Sequence, residues 1–336
     1  MGGVSCWDGC FSRRASSTAK GKRDTKQNME QMSNDIQQRA TATDWHELYP
    51  FESHFHTVGG HKLHYLDEGT GSAGADSPML LLHGNPTWSF YWREIVFAFR
   101  DRYRMIVPDH IGFGLSDKPG LKDYDFHLQR RIDDIVALID HLDLKNITLV
   151  AHDWGGCIGM GVAVERPERF NRFVLMNTAA FRSDRIPKRI WLAKIPGFGR
   201  FCVQGLNLFV KAAIRMATER PGGLPKAVQD GLAAPYDSWA NRLAVHRIVL
   251  DIPMTPSHPS YATLKKIEEG LSQFADRPSS LIWGMKDWCF NHEFLDRFRE
   301  SWPQADVHRL EQAGHYLIED EPESVVRAME AFLEKK

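Results

Sequence analysis

The feature that most constrains this chain is the stretch from Ile147 to Gly161, Ile-Thr-Leu-Val-Ala-His-Asp-Trp-Gly-Gly-Cys-Ile-Gly-Met-Gly. A partly β-branched apolar run closes on Ala151, His-Asp-Trp-Gly-Gly follows, and an apolar segment continues beyond it. The pattern predicts a strand, a tight turn and a helix. Such a turn presents one side chain at the top of a sheet, and small neighbours, here Ala151 and Gly155, relieve the crowding around it. The presented residue is Asp153. A serine in this place attacks acyl carbon, but on saturated carbon it would leave an ether that water cannot cleave. A carboxylate avoids that end: it displaces a leaving group from saturated carbon, and the alkyl ester reopens when water attacks the carboxyl carbon. The competing reading of Asp153 is a plain helix N-cap, for which Asp is a favoured residue.

Composition narrows the setting. The 336 residues are 43% hydrophobic and 25% charged, with a formal net charge of -1, which fits one large α/β domain with an insertion. No basic excess exists to neutralise phosphates, so nucleic acid is not an expected partner. No run of 18 apolar residues suggests a spanning helix. Cys6, Cys10, Cys157, Cys202 and Cys289 are odd in number and scattered, which gives neither a disulfide framework nor a metal site and points to a reducing cytoplasm. Residues 1–44 are rich in Ser, Thr, Gln and basic side chains without apolar periodicity, and are expected to be a disordered tail. Their start, Met-Gly-Gly-Val-Ser-Cys, approaches a myristoylation pattern but carries Cys6 where Ser or Thr is required.

From Trp45 the pattern is that of a folded domain. Strands are expected at His61 to Leu66 and Met79 to Leu82, around a Gly-rich turn at Gly69 to Gly74, then at Tyr103 to Pro108. Asp109 to Asp117 bears glycines but lacks the spacing of a phosphate-binding loop. Phe126 to Leu142 carries apolar residues at helical spacing, and strand-helix-strand order implies a parallel sheet. Further strands follow at Phe173 to Met176, Ser280 to Trp283 and Val307 to Leu310. Between residues 181 and 267 the strand rhythm gives way to helical pieces broken by prolines and rich in large apolar groups. This span is expected to be a helical cap over the strand C-termini, where ligands bind in such sheets. The expected organisation is therefore a tail (1–44), a first core part (45–180), the cap (181–267) and a second core part (268–336).

Three candidates sit just past strand ends in the order Asp153, Asp287, His315, which is the nucleophile, acid, histidine order of α/β-hydrolases. His83-Gly84-Asn85-Pro86-Thr87-Trp88 follows the Met79 strand, where that fold places one oxyanion amide, the other being the amide of Trp154. With these motifs the chain resembles the haloalkane dehalogenase family from about Leu48 to Phe332. The resemblance implies that the side-chain N–H groups of Asn85 and Trp154 hold the departing halide, and Asn85 separates this family from epoxide hydrolases, which usually carry an aromatic there. It also implies Asp287 as the acid, as in subgroups that use the later position, because Asn177 at the earlier position cannot carry the charge.

The cap segments Ala234-Pro235-Tyr236-Asp237-Ser238-Trp239, Asn241-Arg242 and Asp251-Ile252-Pro253 resemble the bacterial β-lactone decarboxylases of long-chain olefin synthesis, which share the constellation. The expectation is thus an enzyme that acts on a small apolar substrate through an alkyl ester of Asp153, with neither cofactor nor metal. Haloalkane hydrolysis is the first reading and β-lactone decarboxylation the alternative. Epoxide hydrolysis, for which Tyr236 and Tyr261 would be the proton donors, ranks below both. A non-catalytic fold that binds an apolar ligand under the cap is the contrasting reading.

Overall fold

The computed structural model of the chain describes residues 30–69 and 77–335. It separates into two compact units, residues 1–42 and 43–336. In the first, residues 30–39 form an α-helix. Residues 1–29, with the lipidation-like start, lie outside the described residues, as does most of the expected Gly69 to Gly74 turn.

The second unit is built on an eight-stranded sheet: β1 (His54–Val58), β2 (His61–Glu68), β3 (Met79–Leu82), β4 (Met105–Pro108), β5 (Ile147–Asp153), β6 (Phe170–Thr178), β7 (Ser279–Gly284) and β8 (Asp306–Leu310), in the spatial order β1-β2-β4-β3-β5-β6-β7-β8. β1 and β2 pair antiparallel, as do β2 and β4, and every later pairing is parallel. β3, β4, β5 and β7 are buried along their whole length, so their apolar runs are continuous rather than alternating, as in any parallel sheet covered on both faces. β1 is the strand not anticipated above. It is a half-exposed edge whose register follows from a two-residue Gly59-Gly60 turn with both residues at positive φ.

Helices α1 (Arg93–Phe99), α2 (Leu128–His141) and α3 (Trp154–Glu165) follow β3, β4 and β5. α3 is apolar all round, because it is sandwiched between the sheet and its neighbours. The expected cap region consists of helical pieces: α4 (Lys188–Ala193), a turn at Phe198–Arg200 that widens at Phe201–Gly205, α5 (Leu208–Met216), α6 (Lys226–Ala233) and α7 (Leu243–Leu250). The next helix, α8 (Tyr261–Gly270), packs on the core: the Ile267 side chain lies against Gly161 of α3 and Val164 against Gly270. α9 (His292–Ser301), α10 (Leu317–Asp320) and α11 (Pro322–Leu333) complete the chain. No described helix is long and apolar enough to cross a membrane.

The glycine-bearing loop after β4 is organised by a carboxylate and not around an anion site. Asp109 is fully buried and accepts from Ser89 N at 2.6 Å, Leu115 N at 2.8 Å and His64 Nδ1 at 2.8 Å. Burial disfavours its charge, but His64 and His83 with the backbone donors outweigh burial and hold the carboxyl well below its ordinary range. It thereby ties β2, the β3 loop and the β4 loop together beneath the site.

Candidate active site

β5 ends on Asp153, whose φ of 52° and ψ of -128° are unusual for any residue with a side chain and cost free energy that the surrounding structure must supply. Two glycines make room for this conformation. A Cβ on Gly155 would lie 2.0 Å from the Leu82 carbonyl oxygen, and one on Gly84 would lie 2.1 Å from Asp153 Oδ1. The Thr178 hydroxyl donates to the Asp153 carbonyl and pins the turn to β6. Asp153 therefore has its place in the turn for steric reasons. It makes no side-chain cap bond to α3, so the N-cap reading does not describe it.

The five residues expected from the sequence meet here. Asn85 N donates to Asp153 Oδ1 at 2.6 Å, and the Trp154 amide also faces the carboxylate. His315, in the loop after β8, places Nε2 3.7 Å from Asp153 Oδ2 and Nδ1 2.8 Å from Asp287 Oδ2. Asp287, three residues past β7, also takes the Cys289 amide on Oδ1 at 2.6 Å. Asn85, Asp153, Trp154 and His315 line a cavity of about 350 Å³ together with side chains of the span between β6 and β7. Phe181, Ile186, Ile190, Phe209, Val249 and Phe294 supply apolar wall. The carboxylate thus looks into a space with few competing polar groups.

Burial pushes the Asp153 carboxyl up, and although His315 and the amides of Asn85 and Trp154 oppose the effect, the net direction is upward. For His315 burial opposes the charged form, but Asp287 and then Asp153 outweigh it and hold the imidazole above its ordinary value. A poorly hydrated carboxylate facing an apolar cavity is a stronger nucleophile than one in water, and a histidine braced by a buried carboxylate is oriented for proton transfer.

Two supporting residues were not identified from the sequence. Asn177 occupies the earlier acid position, with φ of 32° and no exposure. Its amide donates to Asp287 Oδ2 and to the Gly284 carbonyl, each at 3.0 Å, and its oxygen accepts from Gly284 N at 2.8 Å. What it lacks in charge it returns as a donor that fixes Asp287. His152, next to Asp153 in the motif, sends Nε2 to the His315 carbonyl at 2.9 Å and holds the His315 loop to β5. Its adjacency to Asp153 was the available signal. The side chain of Asn85 is engaged as well, its amide nitrogen 3.3 Å from the Val245 carbonyl of α7.

The phenols needed for epoxide protonation are directed elsewhere. Tyr236 OH donates to the Thr87 carbonyl at 3.3 Å and Tyr261 OH accepts from Arg182 at 3.2 Å. Neither lines the cavity. The cap motifs have structural work: Arg242 reaches the carbonyls of Tyr236, Gln204, Gly205 and Asp237, while Asp251 takes His127 Nδ1 at 2.7 Å and the Ser260 hydroxyl at 2.6 Å.

Comparison with known proteins agrees with this architecture. A family model described as α/β hydrolase fold matches residues 77–322. The chain is 42% identical over 290 residues to a cis-3-alkyl-4-alkyloxetan-2-one decarboxylase of Shewanella oneidensis, covering 85% of this chain and 89% of that protein. It is 34% identical to haloalkane dehalogenase 2 of Mycobacterium bovis, covering 84% and 95%. The crystal structure of haloalkane dehalogenase DbeA from Bradyrhizobium elkani superposes with a TM-score of 0.76 at 26% identity, covering 84% and 97%. The chain is an enzyme that belongs to the α/β-hydrolase fold family, and its relatives there are haloalkane dehalogenases and β-lactone decarboxylases.

Proposed function

We propose that this protein decarboxylates cis-3,4-dialkyl β-lactones to alkenes through an alkyl ester of Asp153. The observation that carries the reading is the desolvated Asp153 carboxylate at the floor of an apolar cavity, flanked by the donors Asn85 and Trp154 and by His315. The substrate class is favoured by the greater identity to the decarboxylase than to the dehalogenase. It is also favoured by the three cap segments resembling decarboxylases, one of which, Asp251-Ile252-Pro253, contributes Ile252 and Pro253 to the cavity wall. This reverses the order in which the two activities stood on sequence alone.

In the first step Asp153 Oδ2 attacks the saturated ring carbon bonded to the ring oxygen. The ring C–O bond breaks and its electron pair becomes a tethered carboxylate, held by the side-chain N–H groups of Asn85 and Trp154. In the second step the bond from that carboxylate to its carbon breaks, carbon dioxide leaves, the electron pair forms the C=C bond, and the ester C–O bond opens to return Asp153. Inversion followed by anti elimination gives the cis alkene. Each electron pair moves between substrate and Asp153, so no metal, cofactor or oxidant is called for. The imidazolium of His315, braced by Asp287, stabilises the departing Asp153 carboxylate. A reducing cytoplasm is the setting we assign, in keeping with the free thiols Cys157, Cys202 and Cys289.

Haloalkane hydrolysis is the second reading, favoured by the complete Asp287–His315 pair. There, halide leaves from the first step and His315 takes a proton from the water that opens the ester. The experiment is incubation of purified protein with a long-chain cis-β-lactone, with 1-bromobutane and with a styrene-type epoxide, reading alkene, bromide and diol. We expect cis alkene with loss of carbon dioxide. Bromide without alkene would reject the proposal in favour of the dehalogenase, and diol alone would reject both.

A further inference from the structure

The cap also exposes large apolar side chains to solvent. Trp191, Leu192, Phe198, Phe201, Leu206 and Leu208 are each exposed by 44% or more, as is Trp239. Only two other large apolar side chains among the described residues, Phe55 and Leu121, are that exposed, and neither is in the cap. Gly199 brings the Phe198–Arg200 turn against Ala193 of α4, and the rings of Phe201 and Trp239 flank Gly205. Leu192 is both exposed and part of the cavity lining, so these side chains reach the cavity mouth.

Charge singles out the same segment. Residues 185–216 contain seven Lys and Arg and no Asp or Glu, in a chain whose 42 basic and 43 acidic residues nearly cancel. Arg185 pairs with Glu293, and Lys194 donates to the carbonyls of Val249, Leu250 and Ile252. Lys188, Arg189, Arg200, Lys211 and Arg215 are exposed and have no carboxylate partner among the described residues. Arg200 lies over the Trp239 ring at 5.2 Å, and Arg189 over Trp288 at 5.2 Å. The nearby Asp237 is held by Asn241 Nδ2 at 2.7 Å. Exposed Trp, Phe and Leu interleaved with unpaired cations is the composition of a helix that lies in a bilayer interface. A protein interface of equal apolar content is ordinarily depleted in lysine.

We propose that this outer surface of the cap docks the protein onto anionic lipid bilayers, with the cavity mouth at Leu192 facing the acyl chains. Apolar side chains enter the headgroup boundary while Lys188, Arg189, Arg200, Lys211 and Arg215 meet lipid phosphates. A long-chain substrate then passes from the bilayer to Asp153 without crossing water.

The test is cosedimentation of the full-length protein with vesicles of phosphatidylcholine containing phosphatidylglycerol, against vesicles of phosphatidylcholine alone. The wild type should bind the anionic vesicles and lose binding at high salt. Each lysine near the surface contributes about fivefold to partitioning, so Lys188→Gln combined with Lys211→Gln should weaken binding by about 25-fold. Trp191→Ser combined with Phe201→Ser should also release the protein. These four side chains do not line the cavity, and native circular dichroism would show that each variant is folded. Asp153→Asn should bind as the wild type does, so failure of the proposed activity leaves this result unmoved. Three outcomes would overturn the inference: no binding to anionic vesicles, binding that both double variants retain, or self-association without vesicle binding that Trp191→Ser with Phe201→Ser abolishes. The last would make the surface a contact between protein molecules.

Discussion

Asp287→Asn is the substitution that best separates the two halves of the proposed chemistry. The carboxylate at 287 is surrounded by donors only: Cys289 N on Oδ1 at 2.6 Å, with Asn177 Nδ2 at 3.0 Å and His315 Nδ1 at 2.8 Å on Oδ2. A carboxamide offers one acceptor oxygen and one NH2 group. If the NH2 takes the place of Oδ1, it meets the Cys289 amide donor to donor. If it takes the place of Oδ2, it opposes Asn177 and forces His315 into the tautomer with a bare Nδ1. Either orientation leaves a buried donor without an acceptor, a cost of about 1–3 kcal/mol in stability, and removes the charge that braces the imidazole. A reversed tautomer at a comparable histidine slows turnover on the order of 10⁴-fold, and that is the loss expected for water attack on the alkyl ester.

The first step needs no base, so alkylation of Asp153 by a bromoalkane should proceed at nearly the wild-type rate. Intact-protein mass spectrometry after rapid mixing should therefore show an alkyl adduct that persists in Asp287→Asn. Alkene formation from a β-lactone should be far less affected, because loss of carbon dioxide frees Asp153 without water. A folded variant that clears the adduct as fast as the wild type would refute the orienting role of Asp287. A folded variant that forms no adduct would show that the pair acts before the ester exists.

Asp153→Asn should abolish turnover of every substrate while circular dichroism stays native, because size is kept and only the attacking charge is lost; unfolding would make Asp153 structural. His315→Ala should retain an alkyl adduct with a bromoalkane yet still yield alkene from a β-lactone, both read by mass spectrometry. Gly84→Ala, which sets a methyl group 2.1 Å from Asp153 Oδ1, should displace the carboxylate and lower kcat by about 100-fold or more, the scale of a 1 Å misplacement, with little change in far-ultraviolet circular dichroism. With a β-lactone, the ratio of 3-hydroxy acid to alkene should rise with pH through the elevated pKa of His315, since only the neutral imidazole activates water; a pH-independent ratio would exclude His315 as the base.

Much of this was legible before any coordinates because the site residues are punctuation in a parallel sheet. Asp153, Asp287, His315 and Asn85 each follow or close an apolar run, and a run buried on both faces is conspicuous. β1 was missed for the opposite reason. His54-Phe-His-Thr-Val is a half-exposed edge with little apolar content, although the Gly59-Gly60 pair before β2 was a hairpin signal. Asn177 and His152 escaped because their function lies in hydrogen bonds to residues 110 and 163 positions away, which no local pattern encodes. The phenols of Tyr236 and Tyr261 fall within the expected cap span, but only side-chain geometry reveals that they are directed away from the cavity.

Decarboxylation consumes no water, so the complete Asp287–His315 pair is the feature such an enzyme must account for. The direction of the His315 shift offers the account. Asp287 holds the imidazole above its ordinary value, and while Asp153 is ionised it adds to the effect. A protonated His315 cannot take a proton from water, so below its pKa the alkyl ester is protected from hydrolysis. The same positive charge, 3.7 Å from Asp153 Oδ2 in the resting site, favours return of that oxygen as a carboxylate when carbon dioxide departs. Electrostatic stabilisation of a leaving group in a dry site is among the larger contributions available to an enzyme. One histidine can therefore serve hydrolysis as a neutral base and elimination as a fixed cation. What separates the two outcomes is its protonation state during the lifetime of the ester, together with whether the substrate carries a carboxylate to lose.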